Sequence, residues 1–361
     1  MGRRAGAAIA LIVVALGAVV AGCGSSGSDN SSGKIALLLP ESKTTRYDQQ
    51  DKPNFIRRVK QLCPKCEVIY SNADQDPAKQ QSQADAAISN GAKVLVLDAV
   101  DVKSAAAIAN KAKQSKVPVV SYGRLVADAP LDYYVSIDPY KVGQQQAQVL
   151  VKQLRAQGKP NARVVMINGS PTDSNAAPYK NGAASVFKSS GIKVVKSYDT
   201  ADWSPDKAQQ EMEQAITALG PNGFDAVYVA NDGMATGAIA ALKAARIDPK
   251  THPVTGQDAE VEGIQRILAG DQLMTVYQPI KKIAATAADL AVPLAKGTRP
   301  PASLAPARVS NGAMKVPSAL LDTVAITKGN VQGTVVKDGF LTVDAICTPP
   351  YRSACQAAGV Q

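Results

Sequence analysis

The sequence predicts an α/β protein of two similar doubly wound parallel-sheet lobes joined by hinge strands. Three observations lead there. Short runs of Val, Ile and Leu alternate with helical stretches from Lys34 onward, in two series of similar length. Ala and Val are abundant while aromatic residues make up only 4% of the chain, the composition of buried Val-rich strands packed under Ala-rich helices. Residues 34–361 are also enough for two lobes at roughly 100 to 200 residues per domain.

The elements follow in order. KIALLL (34–39) reads as a strand, the stretch around NFIRRVKQL (54–62) as a helix and EVIYSN (67–72) as a strand. DPAKQQSQADAAISNG (76–91) is a helix opened by an Asp-Pro cap and closed by Gly91. KVLVLD (93–98), a helix through AAAIANKAKQS (105–115) and VPVVSY (117–122) continue the first series. The second begins after DYYVSID (132–138) with a long helix over 139–157, then RVVMIN, a helix from about Ala176, IKVVKSY, a helix over 204–219, DAVYVAN, a helix over 234–245, the strand PVTGQD (253–258) and a helix over 259–270. MTVYQ (274–278), the helix over 279–297 and the later strands do not extend that series. They are expected to cross back to the first lobe as hinge strands.

The N-terminus has its own pattern. Arg3 and Arg4 precede an apolar run over 5–22 and then Cys23, a charged region followed by an apolar one, as in an export signal. The tetrapeptide Val20-Ala21-Gly22-Cys23 resembles the bacterial lipobox, which implies lipidation at Cys23. The competing reading is an uncleaved anchor helix; either one places the rest of the chain outside the cytoplasm. GSSGSDNSSG after Cys23 has no apolar residue and should be a flexible tether. Four further cysteines form two local pairs, Cys63 with Cys66 and Cys347 with Cys355. In an exported protein these read as disulfides, with a shared zinc site as the alternative. The resulting division is a lipoprotein signal peptide (1–22), lipidated Cys23 and tether (23–33), an N-terminal lobe (34–138 plus 279–322), a C-terminal lobe (139–278 plus 323–346) and a disulfide-closed tail (347–361).

Ligands of open α/β sheets bind beyond the carboxyl ends of the strands. The residues there are Glu41, Lys43 and Arg46; Asp98 and Asp101; Tyr122 and Arg124; Ser170, Asp173 and Asn175; Trp203; Asn231 and Asp232; Gln257 and Asp258; and Gln278. Carboxylates, amides and cations mixed with one indole suit a sugar, whose hydroxyls both donate and accept and whose ring has an apolar face. Each residue also has a plain structural role open to it: Asn231, Asp173 and Asn175 are candidate helix caps, and Trp203 could simply pack.

At these positions the sequence resembles the periplasmic binding proteins of the ribose/xylose/galactose group of ABC importers, and among them the xylose type. The segments that carry the likeness are RYDQQD, QSQADAAISNGAKVLVLDAVD, DYYVSIDPYKVGQQQA, NGSPTDSNA, ADWSPDKA, VANDGMATGAI, TGQDAEVEGIQRILAGDQLMTVYQPI and VKDGF, which run in order from Lys34 to about Phe340. The resemblance implies a type I periplasmic-binding-protein fold and a monomer that binds a monosaccharide in the interlobe cleft and delivers it to a membrane permease. It implies a ligand site of Lys43, Thr44, Tyr47, Arg124, Asn175, Trp203, Asn231 and Asp258, with Gln278 at the hinge where xylose-type proteins have lysine. One position departs: the family usually has Asp immediately before the arginine, and here it is Gly123. Either the ligand differs, or Asp98, Asp101 or a water takes that role.

Other classes fit poorly. The sequence has no G-x-S-x-G, H-E-x-x-H, P-loop or G-x-G-x-x-G, and its one histidine, His252, is followed by proline, so no triad, metal or cofactor is expected. The net charge of +10 is spread along the chain among Asp and Glu, so it reads as a solvated basic surface and no nucleic-acid partner is expected. The remaining alternatives are a sensory solute-binding lipoprotein and a carrier of a non-sugar solute such as a nucleoside.

Overall fold

The computed structural model describes residues 33–361, so the expected signal peptide, Cys23 and all of the tether except Gly33 lie outside the described residues. In the first series β1 (Lys34–Leu39), α1 (Lys52–Leu62), β2 (Glu67–Asn72), α2 (Pro77–Ser89), β3 (Ala92–Leu97), α3 (Ala106–Gln114), β4 (Val119–Tyr122) and β5 (Tyr133–Ile137) follow one another. The second runs α4 (Pro139–Ala156), β6 (Arg163–Asn168), α5 (Ala176–Ser190), β7 (Lys193–Asp199), α6 (Pro205–Leu219), β8 (Ala226–Val229), α7 (Asp232–Ala244) and α8 (Val261–Ala269). After these come β9 (Thr275–Tyr277), α9 (Ile280–Ala295), β10 (Ala307–Ser310), β11 (Lys315–Leu321), β12 (Val324–Ile326), α10 (Val343–Ile346) and α11 (Arg352–Ala357).

The α/β class is as expected, but the two sheets differ in size. The larger has seven strands in the order β10-β11-β5-β4-β3-β1-β2, all parallel except the β10 edge, which pairs antiparallel with β11. The smaller has three parallel strands, β7-β6-β8. PVTGQD does not complete it as a fourth strand: only Val254 bridges to Val227, and Asp258 turns into positive φ. That break frees Gln257 and Asp258 from a ladder. The larger sheet is buried on both faces. Ile35, Leu37, Val94 and Val96 enter one core, and Ala36, Leu38, Leu95 and Leu97 enter the other, the period-2 alternation of a covered parallel sheet.

Each sheet with its helices forms a lobe. The chain passes between them after β5, before α9 and after β11, and α9 packs on β3, β5 and α1 of the larger lobe. β9 pairs antiparallel with β12 beside these crossings. The cysteines pair as Cys63–Cys66 and Cys347–Cys355, so they do not combine into one zinc site.

One side chain fastens the loops of the smaller lobe. Gln146 of α4 is fully buried; its amide donates to the carbonyls of Val229, Ala230 and Gly256 at 3.3, 3.2 and 2.9 Å, and its oxygen accepts from the Tyr228 hydroxyl at 2.8 Å. It thus ties the turn after β8 to the segment before Gln257. Gln146→Ala would leave several buried polar groups unpaired and should cost about 2–4 kcal/mol, read by denaturant unfolding; a loss below about 0.5 kcal/mol, the size of an ordinary surface change, would deny it this role.

Candidate functional site

The carboxyl ends of both sheets face one cavity. The larger lobe lines it with Thr44, Arg46 and Tyr47 after β1, Gly123 and Arg124 after β4, and Ser136 of β5. The smaller lobe contributes Asp173, Asn175, Tyr179, Trp203, Asn231, Gln257 and Asp258, and Gln278 lies just after β9. Of the residues expected from sequence, Thr44, Tyr47, Arg124, Asn175, Trp203, Asn231, Asp258 and Gln278 are all brought together, whereas Lys43 is exposed on the loop and does not line the cavity.

Two guanidinium groups organise this space. Arg46, 8% exposed, grips Asp51 with two bonds of 2.9 Å, donates to Gln278 at 3.2 Å and lies 3.8 Å from Asp258. A π-helical turn over Tyr47–Asp51 sets the separation for that bidentate grip, and the Tyr122 hydroxyl closes on the same Asp51 carboxylate from behind. Burial opposes the Arg46 charge, yet Asp51, with Tyr47 and Asp258 beside it, holds the guanidinium well above its ordinary value. Arg124, 3% exposed, stands 2.9 Å from Asp173 of the other lobe and donates to the carbonyls of Ala99 and Val100 at 2.9 and 3.3 Å.

The smaller lobe presents the aromatic and amide groups. Trp203 sits at positive φ in a 3₁₀ turn after β7, and its ring lies directly on Gly169, where any Cβ would collide with it. Tyr179 meets it edge-on with centroids 6.4 Å apart. Gln278 and Gln257 both donate to Asp258, at 2.8 and 3.2 Å. Asn231 serves two ends: its oxygen caps α7 by accepting from the Met234 N–H at 2.9 Å, and the residue also lines the cavity. Asn175 does not cap α5 with its side chain; instead its amide reaches across to the Gly123 carbonyl at 3.1 Å.

Further bonds join the lobes around the rim. Glu260 accepts from the Thr45 N–H and hydroxyl at 3.1 and 3.2 Å, Ser174 accepts from the Leu125 N–H at 2.8 Å, and the Val102 N–H donates to the Thr172 carbonyl at 3.1 Å. Asp101 and Ser170 do not line the cavity: Asp101 caps the turn at Lys103 and Ser104, and Ser170 pairs with Thr172. Asp232 is buried behind Asn231, held by Gln272, Thr275 and the Glu260 N–H.

Several buried polar atoms at this seam have no partner among the described residues: Glu41 Oε1, both oxygens of Asp98, Trp203 Nε1 and Gln257 Oε1. Arg124 Nε, although close to Asp173, lacks hydrogen-bond alignment. Native interiors satisfy nearly all such atoms; of these residues Arg124, Trp203 and Gln257 line the cavity, where they offer both donors and an acceptor to a ligand, while Glu41 and Asp98 do not line it. Tyr179 and Ser136 escaped the strand-end reading because one lies inside a helix and the other inside a strand. The signal for Tyr179 was its i+4 spacing from Asn175, which puts both on one helix face.

A periplasmic binding protein domain matches residues 35–299. The chain belongs to the periplasmic binding proteins. It is 37% identical over 311 residues to the D-xylose-binding periplasmic protein of Escherichia coli (strain K12), covering 85% of this chain and 90% of that relative. The D-xylose-binding periplasmic protein of Haemophilus influenzae is 37% identical over 326 residues, 89% of this chain and 94% of the relative. Among solved structures, an ABC transporter solute-binding protein from Clostridium phytofermentans with bound β-D-glucose superposes with a TM-score of 0.77 at 27% identity, covering 87% of this chain and 99% of that one. The type I binding-protein fold is therefore the fold of this chain, which is an extracytoplasmic binding protein of a family of solute carriers, not enzymes.

The buried carboxyls give a pH prediction. Burial pushes Asp98 and Glu260 up to about 8 and Asp232 to about 7, against about 4 in an unfolded chain. A carboxyl raised in the folded state binds its proton more tightly there, so the stability these three groups contribute is fully present below about pH 4 and is lost as pH rises towards 8. Asp98→Asn should lose less stability than wild type between pH 5 and pH 8 in denaturant unfolding. Identical slopes would contradict the assignment.

Proposed function

We propose that this chain is the substrate-binding lipoprotein of an ABC sugar importer, binding a monosaccharide in the interlobe cleft and delivering it to the membrane permease. The observation that carries the sugar reading is the set of unpartnered buried atoms lining the cavity, in which the acceptor Gln257 Oε1 accompanies the donors Arg124 Nε and Trp203 Nε1. A ring hydroxyl supplies both kinds of partner, and the edge-on Trp203–Tyr179 pair offers an aromatic wall for the apolar face of a ring. The D-xylose-binding relatives and the glucose-bound neighbour agree with a pentose or hexose. Within this reading Thr44, Tyr47, Arg124, Asn175, Trp203, Asn231, Asp258 and Gln278 contact the ligand, and Lys43 joins them only if its loop turns inward.

Residues 34–138 with 279–322 make the N-terminal lobe, and 139–278 with 323–346 the C-terminal lobe, with a disulfide-closed tail over 347–361. Ligand touching both lobes stabilises the arrangement in which Thr45 meets Glu260 and Arg124 meets Asp173, and that arrangement is what a permease would recognise. The chain acts as a monomer tethered to the outer face of the membrane through lipidated Cys23.

Thermal unfolding against D-xylose, D-ribose, D-glucose, myo-inositol and nucleosides tests the reading, with Trp203 fluorescence followed in parallel. One sugar should raise the midpoint, by about 2.7 kcal/mol of stabilisation at a hundredfold excess over its dissociation constant, and Asp258→Ala should weaken it at least about 10-fold. A nucleoside shifting the midpoint while every sugar fails would overturn the sugar assignment. Cys23→Ser should move the protein from the membrane to the soluble fraction; continued membrane attachment would favour an uncleaved anchor helix.

A further inference from the structure

Asp98 ends β3 with a carboxylate that nothing in the chain satisfies. It is fully buried, neither oxygen has a hydrogen-bond partner among the described residues, and Arg124 Nε stands 3.7 Å from Oδ1, beyond bonding distance. An interior carboxylate left in this way costs stability, so its presence calls for a role. Beside it lies Gly123, whose φ of +64° is in the left-handed region and whose missing Cβ would run into Asp98 Oδ2. The Asp98 carboxyl therefore fills the side-chain space of position 123.

Arg124 shows what that carboxylate could serve. Its close carboxylate is Asp173, which belongs to the opposite lobe. On its own lobe it has the carbonyls of Ala99 and Val100 and the more distant carboxyls of Asp98 and Glu41; Glu41 is tied through one oxygen to the Thr44 N–H at 2.9 Å, whereas neither oxygen of Asp98 has a partner among the described residues. When the lobes part, Asp173 leaves with the other one.

Resting on the hinge-closure reading above, we propose that Asp98 is the positioning carboxylate of Arg124: supplied from β3 in place of residue 123, it takes the guanidinium when Asp173 withdraws and keeps it aimed at the incoming ligand. A small rotation of the Arg124 side chain closes the 3.7 Å gap. Burial raises the Asp98 carboxyl while Arg124 opposes the rise, so drawing Arg124 nearer is what favours its charged form. Gly123 is then required as the open space through which a residue from a neighbouring strand reaches the arginine.

The test uses the full chain in detergent. In the sugar-free protein, ¹⁵N relaxation of the Arg124 Nε–H should report a rigid group in wild type and a mobile one in Asp98→Asn. For the sugar found by the thermal-shift panel, Asp98→Ala should weaken binding about 10- to 100-fold, the range for losing a hydrogen bond to a charged group. Gly123→Asp alone should also weaken binding, since its carboxylate collides with Asp98. The double variant Asp98→Ala/Gly123→Asp should recover affinity to within about 3-fold of wild type, because aspartate tolerates the left-handed conformation; a merely structural Asp98 gives no such rescue. Unchanged Arg124 relaxation in Asp98→Asn overturns the proposal, as does wild-type affinity in Asp98→Ala. If no sugar binds wild type, the sugar reading fails on its own, and the relaxation arm still decides the role of Asp98.

Discussion

Two buried arginines hold the centre of this molecule, and most of the surrounding architecture exists to make their burial tolerable. A guanidinium cannot shed its proton, so an interior one must be met by carboxylates and carbonyls or it will not fold inside. Arg46 is met by Asp51 from its own turn and by Asp258 and Gln278 from beyond the smaller sheet. Arg124 is met by Asp173 across the seam and by two carbonyls after β3. Each arginine thus belongs to one lobe and is completed by the other. An ion pair split in this way resists closure when misaligned and rewards it when a ligand supplies the missing hydrogen bonds.

The fold converts chain order into that convergence. Parallel strands deliver their carboxyl ends to one edge, so Thr44, Arg124, Trp203 and Asn231, far apart in sequence, arrive at one cavity without any contact between them having to be specified locally. Gln146 then fixes the loops after β8, and the failure of PVTGQD to continue as a strand leaves Gln257 and Asp258 turned towards the seam. The backbone there is paired outside any ladder, the Gln257 carbonyl accepting from the Asp232 N–H and the Asp258 N–H donating to the Val276 carbonyl, which leaves both side chains free to face the seam.

Much of this was legible in the sequence because its signals are periodic. The Asp-Pro opening of α2, the buried runs of β1 and β3 and the two βα series all follow from local rules, and the strand-end rule found most of the cavity lining. What it missed has physical reasons. Tyr179 and Ser136 project from inside regular elements, where no turn chemistry marks them. Arg46 was visible after β1, but nothing local reveals that a π-helical turn brings Asp51 onto it, and nothing local distinguishes it from exposed Lys43 on the same loop. The unequal sheets were hidden because Pro253–Asp258 has the apolar start of a strand and breaks only at Gly256, and because β10 and β11 join the larger sheet from far along the chain.

In the proposed function, ligand binding and closure of the lobes are one event. Small-angle X-ray scattering of the purified extracytoplasmic domain, with and without a saturating amount of the sugar that raises its melting temperature, tests this most directly. The radius of gyration should be smaller with sugar bound, as Arg124 and Asp173 are drawn together across the seam. A radius that stays the same while binding is independently demonstrated would contradict it.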